Sequence, residues 1–180
     1  MHMNLEDGYA DLHMHTTNSD GNSTVEERVE QAKDRGLGAI SITDHDCIPP
    51  SLNSHRTFYD GVEIVTGVEI RADIFDTKIE ILGYYVDPND EHLNSVLEKV
   101  RGYREQRNRE MVSELAGVTD LDVTYRSLDE SVDGELGRPH IADLLIEEGF
   151  VSSVSGAFDE FLGEDGEVYV PGEGIEHFHP

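Results

Sequence analysis

Two histidines separated by a single residue, His13 and His15 in the run Asp11-Leu12-His13-Met14-His15, are where chemistry first becomes legible in this chain. Side chains on a β-strand alternate faces with a period of two, so both imidazoles project to the same side. Neighbouring imidazoles near a strand end form a grip for a transition metal, and metal-activated water is the nucleophile of many hydrolases. Asp20 follows, Thr43-Asp44-His45 closes the next helix and strand, and Glu69 stands near the end of a further apolar run. The set His13, His15, Asp20, His45 and Glu69 mixes imidazole with carboxylate, which suits Zn, Mn or Fe better than an all-oxygen calcium site. Glu69 can bridge two ions, the arrangement that clamps attacking and leaving oxygens in phosphoryl transfer. Hydrogen-bonded core histidines beside solvent-facing acids are the alternative. Packing alone does not readily place all of these residues at strand ends.

The elements that must carry these residues follow from periodicity and turn chemistry. Tyr9 to His13 reads as a short buried strand, and Thr16 to Asn22 as a turn rich in Ser, Asn, Asp and Gly. Thr24-Val-Glu-Glu27 has the pattern of a helix-start capping box, followed by the apolar stripe Val25, Val29, Ala32 and Leu37. Ala39 to Thr43 is apolar on both faces, as a parallel strand is. Asp46 to Tyr59 reads as a loop followed by a helix, and Val62 to Ile70 and Ile79 to Val86 as strands. Such βα units place active residues at strand C-termini. Beyond Asp90 the pattern turns helical: Glu91 to Ala116, Arg138 to Gly149, and Val154 to Leu162. The expected organisation is therefore a strand-rich part over residues 1–89, a helical block over 90–165 and a return segment or tail over 166–180.

These motifs together resemble the PHP (polymerase and histidinol phosphatase) superfamily. The likeness rests on Asp11-Leu-His-Met-His15, Ser19-Asp20-Gly21, Thr43-Asp44-His45 and Gly67-Val-Glu69-Ile. Ile81-Leu-Gly-Tyr84, Gly137-Arg-Pro-His140-Ile-Ala and Tyr169-Val-Pro171 are similar to its branch of nucleotide and short-RNA phosphoesterases. The resemblance implies an α/β fold, a distorted (β/α)7-type barrel with an inserted helical subdomain, here incomplete at its C-terminal end. It also implies two or three divalent ions and hydrolysis of phosphate esters. His13, His15 and Glu69 would hold the first ion, with Glu69 reaching the second, and Asp20 and His45 would hold the third. With His45, the same three form the catalytic set. Glu80 stands where the family usually has His, and as a carboxylate it favours a harder ion. His179 stands in for a His-Pro element, while the family's late Asp-x-His pair has no counterpart before Pro180.

Arg138 and His140 open a helix, a natural seat for a substrate phosphate, although Pro139 at the first helical position also fits a plain capping role. Arg104 and Arg107, one turn apart, are candidates to line the cleft from the helical block. The reading is a metal-dependent phosphoesterase acting on a 3′,5′-bisphosphate nucleotide or the 5′ end of a short RNA. A PHP-like scaffold that binds metal or a partner without turnover is the alternative.

Composition narrows the setting. Asp and Glu number 39 against 13 Lys and Arg, a formal charge of −26, while hydrophobic residues still reach 37% in periodic blocks. That is a folded protein with a heavily carboxylated surface rather than a disordered one. Such a surface repels duplex DNA. One cysteine, Cys47, excludes an internal disulfide and fits a reducing compartment. No apolar run has transmembrane length and the first residues do not form a signal peptide, so the expected location is the cytoplasm, without membrane partners. The hypothesis that follows is a salt-rich cell interior, where screening relieves self-repulsion. Melting temperature should rise with KCl, and a maximum in dilute buffer would refute this origin for the charge.

Overall fold

A computed structural model of the chain describes residues 8–74, 77–132, 135–171 and 175–176. The fold is mixed α/β and divides into two units, Met1–Glu98 with Ile175–Pro180, and Lys99–Gly174.

The first unit is built on a sheet. Strands β1 (Tyr9–Met14), β2 (Leu37–Ile42) and β4 (Val62–Ile74) run parallel, in the order β1-β2-β4, and β3 (Arg56–Tyr59) joins β4 antiparallel. Strand β5 (Thr77–Tyr84) pairs antiparallel with the second half of β4, and β6 (Ile175–Glu176) pairs parallel with Ala72 and Asp73. Helix α1 (Val25–Asp34) crosses from β1 to β2. It begins as its sequence dictates: the Thr24 hydroxyl accepts from Glu27 N–H while the Glu27 carboxylate accepts from Thr24 N–H. The two orphan donors of the helix start are thereby satisfied reciprocally. Val25, Val29 and Ala32 pack on Ile40, Ile42, Val62 and Ile64, all buried. Gly67 lets β4 pass close to its neighbours, because a Cβ there would meet Ser41 Oγ, Thr43 Cγ2 and the Gly83 carbonyl at 2.7–2.8 Å.

The second unit is helical. Helix α2 (Glu91–Thr119) runs into it, followed by α3 (Tyr125–Asp129), α4 (Arg138–Glu147), α5 (Val154–Ala157) and a π-helical turn at Phe158–Leu162. Met111, Leu115, Ile141, Leu145 and Leu162 form the centre of its core, each with essentially no exposed surface.

Several local expectations change. Strand β1 is exposed along Tyr9 to His13, not buried, with Tyr9 80% accessible. Among the described residues it pairs with β2 alone, an edge position in the sheet, and only Met14 at its end packs against the core. Leu37 opens β2 instead of extending the α1 stripe, because the helix ends at Asp34 and Gly36 takes a left-handed turn with φ 70°. The segment before Tyr59 ends in strand β3 rather than a helix. Asp60 and Gly61, both at positive φ, make the tight turn that folds β3 back on β4.

Candidate metal centre

The C-terminal ends of β1 and β2 and the middle of β4, at Glu69, meet on one side of the sheet. Met14 packs into the α1 core, so its neighbours His13 and His15 face the other way. Past the end of β2, His45 forms an isolated parallel bridge with Glu69, closed by Glu69 N–H to the Asp44 carbonyl at 3.1 Å and Asp46 N–H to the Glu69 carbonyl at 2.9 Å. Asp46 takes φ 54°, a left-handed turn that Asp tolerates better than most residues and that redirects the chain immediately after the His45 bridge.

The loop that carries Asp20 is held by a buried carboxylate. Asp44 Oδ1 accepts from the Thr16 backbone N–H and the Ser19 hydroxyl, and Oδ2 from the Thr16 hydroxyl, each at 2.6 Å. Burial pushes the Asp44 carboxyl above its ordinary pKa, with the Ser19 and Thr16 donors pulling against that effect. Ser19 and Gly21 N–H both return to the Thr16 carbonyl. Gly21 is required by space: a Cβ would lie 2.5 Å from the His15 carbonyl oxygen. That same carbonyl accepts from Arg28 Nε of α1 at 2.9 Å.

These constraints converge on one oxygen. Glu69 Oε2 lies 3.3 Å from His13 Nε2, 3.1 Å from His15 Nε2 and 3.2 Å from His45 Nδ1. The two Nε2 atoms are themselves 3.1 Å apart. Asp20 closes the other side, with Oδ1 3.3 Å from His15 Nδ1 and Oδ2 3.7 Å from His45 Nε2. Among the described residues, three overlapping groups could hold an ion: His13 with His15 and Glu69, His15 with Asp20 and His45, and His45 with Glu69 and Glu80. Within each set the donor atoms lie within 4.8 Å of one another. Two ligands bonded at about 2.0–2.2 Å to one ion sit roughly 3.0–3.5 Å apart, so the His13–His15–Glu69 triangle has the edges of a coordination polyhedron. The residues fit a divalent cation in chemistry as well as in spacing, since converging imidazole lone pairs repel unless a proton or a metal lies between them.

Without an ion, protons do that work. Burial lowers the His15 pKa, but hydrogen bonds and charge from Asp20 and Glu69 outweigh it and raise the imidazole to about 9. Burial likewise works to raise Glu69, and its three imidazole neighbours overcome it and hold the carboxyl below its ordinary value.

Of the other expected site residues, His179 lies outside the described residues. Arg104, Arg107, Arg138 and His140 belong to the second unit. Arg104 borders a polar cavity of about 240 Å³ shared with Arg101, Asn108, Tyr125 and Glu135. Arg107 is buried, donates Nε to the Val170 carbonyl at 2.6 Å and lies over the Tyr169 ring. Arg138 lies over the Phe158 ring. His140 Nδ1 accepts the Gly137 N–H at 2.9 Å, a capping bond at the start of α4. Two residues carry weight that motif reading missed. Thr16 and Ser19 supply every donor to Asp44, and only their setting in a Ser/Thr-rich turn hinted at it.

A sheet that gathers imidazoles and carboxylates into overlapping groups defines an α/β protein whose residues could hold metal ions. The chain belongs to the PHP domain family, which it matches over residues 11–166. It is 31% identical over 166 residues to a 5′-3′ exoribonuclease of Haemophilus influenzae, covering 91% of this chain and 60% of that protein. It is 29% identical to a 3′,5′-nucleoside bisphosphate phosphatase of Chromobacterium violaceum, covering 84% and 54%. Among solved structures it resembles one assigned as a metal-dependent phosphoesterase of Bifidobacterium adolescentis, with TM-score 0.78 and 30% identity over 92% of this chain and 59% of that one. The chain thus spans little more than half the length of these relatives.

Two outcomes are expected of the site. Asp44→Ala should weaken divalent-ion binding by roughly 10- to 100-fold, as loss of a group that orients ligands does, and destabilise the fold by about 2–4 kcal/mol. Calorimetric titration with Mn2+ and urea unfolding measure both, and unchanged ion affinity would remove Asp44 from the site's support. The second concerns pH. The His15 pKa of about 9 exceeds the ordinary 6.5, so its protonated form stabilises the chelated fold fully below pH 6.5 and that contribution is lost as pH rises through about 9. Metal must displace the proton, so ion affinity climbs over the same range. Chelated protein whose stability does not fall across that window contradicts the arrangement.

Proposed function

We propose that the protein is a metal-dependent phosphoesterase, and that His13, His15, Asp20, His45, Glu69 and Glu80 hold two or three divalent ions of Zn, Mn or Fe. The observation that carries the reading is the Glu69 oxygen within 3.3 Å of three imidazoles, flanked by a second and a third ligand set. When bound, such ions supply Lewis acidity toward a phosphate ester and a water nucleophile at neutral pH. The chain's own part is to hold donor atoms in place. Asp44 anchors the loop carrying Asp20, Arg28 steadies the His15 carbonyl, and the His45–Glu69 bridge ties the segment after β2 to the middle of β4. The sheet is read as the first part of a distorted (β/α)7-type barrel with the helical unit as its insertion, supported by β1, β2 and β4 running parallel toward the site.

The substrate we infer is a small phosphorylated one, a 3′,5′-bisphosphate nucleotide or the 5′ end of a short RNA. The named activities of the Chromobacterium and Haemophilus relatives support it. Arg138 and His140 are assigned to phosphate binding; with Nδ1 of His140 engaged by Gly137, the ring's Nε2 is the atom assigned to the ligand. Arg104 and Arg107 are assigned to substrate contacts on their own unit, where Arg104 borders the polar cavity. The low cysteine count and acidic surface support a cytoplasmic setting.

Purified protein should carry two or three ions per chain and release phosphate from a 3′,5′-bisphosphate nucleotide with Mn2+. The double variant His13→Ala, His15→Ala should lose both. Turnover surviving in that variant defeats the site assignment, and ion binding without turnover in the unaltered chain favours a metal-binding scaffold.

A further inference from the structure

Strand β4 carries a cationic side chain next to Glu69 on the same face. Arg71 follows Glu69 by two residues, so alternation puts both on the same side. Across the β4–β5 ladder the direct partner of Arg71 is Glu80, and paired residues share a face. The Glu80 carboxylate is itself grouped with His45 and Glu69. Arg71 therefore borders the acids at which a phosphate ester would arrive.

What sets Arg71 apart is its uncommitted bonding capacity. Its Nε is buried and makes no hydrogen bond among the described residues. A buried N–H without an acceptor is costly, and an incoming anionic oxygen removes that cost. Among the described side chains of this unit, the other cations are engaged with protein acceptors; Arg35 donates to the Gln31 carbonyl. Arg28 donates to the His15 carbonyl and Gln31, Lys33 pairs with Glu30 and Asp60, and Arg56 pairs with Glu63. A guanidinium presents a planar fork that matches two phosphate oxygens, which an ammonium does not.

We propose that Arg71 binds non-bridging oxygens of the substrate's phosphoryl group at the Glu80 side of the cluster; the proposal rests on the phosphoesterase reading above. Glu80 is its register partner on the same face. The competing role is structural: Arg71 only offsets the nearby acids, in which case its removal changes Mn2+ affinity rather than phosphate affinity.

Inorganic phosphate binding to the Mn2+-loaded full chain, followed by calorimetry, separates these roles without requiring turnover. Arg71→Gln should weaken phosphate by roughly tenfold or more, the loss expected of a charge-assisted hydrogen bond, with Mn2+ stoichiometry and affinity unchanged. Arg71→Lys should fall between it and the unaltered protein. Phosphate affinity within about twofold of the unaltered chain in Arg71→Gln overturns the proposal, as does a loss of phosphate that merely follows a change in Mn2+ affinity, or an unaltered chain that binds no phosphate. A chain that binds phosphate through Arg71 yet hydrolyses nothing would instead count against the phosphoesterase reading alone.

Discussion

A buried carboxylate that takes all its hydrogen bonds from one loop is the constraint on which the rest of the cluster depends. Asp44 is fully inaccessible, and its side chain accepts from Thr16 and Ser19 while its main-chain carbonyl accepts from Glu69 N–H. One residue thereby ties together the exits of β1 and β2 and the middle of β4. A lone buried charge is expensive, and three short donors are what make this one tolerable. The consequence is rigidity where it matters: Asp20, His15, His45 and Glu69 reach the same few ångströms because the segments bearing them share that anchor.

Charge is distributed with the same economy. In a chain of net charge −26, three imidazoles stand around a single carboxylate oxygen. Against the lowering effect of burial, the Asp20 and Glu69 carboxylates raise the His15 pKa to about 9, so a divalent cation must compete with that proton for the same place. Much of the scarce positive charge is used inside the units. Arg107 is pinned to Val170, Arg109 stacks on Tyr125 and pairs with Glu105, and Arg101 pairs with Glu135. Burial, aided by Asp129 and Glu105, raises the Tyr125 phenol to about 12, so it remains a neutral partner for that stacking.

Features governed by nearest neighbours along the chain were legible beforehand. His-x-His, the capping box at Thr24 and the apolar spacing of α1 and α2 depend on backbone periods and first-turn hydrogen bonds, and these elements appear where the spacing places them. Features governed by partners were not. The exposure of β1, the short strand β3 and helix α3 carry too few residues for a periodic signal. Arg71 escaped notice because the expected strand stopped at Ile70, one residue short, and because the meaning of Arg71 comes from Glu80 across the ladder.

By itself, then, the order of residues settled which side chains could serve as ligands and that His13 and His15 would point the same way, since both follow from local geometry. Only the tertiary structure decided that Glu69 sits at the centre, that Asp44 serves as anchor and that Glu80 joins His45. Those relations depend on the β1-β2-β4 strand order and on inter-strand register. Register is set by packing α1 on one face of the sheet and by close approach at Gly67, between segments far apart along the chain.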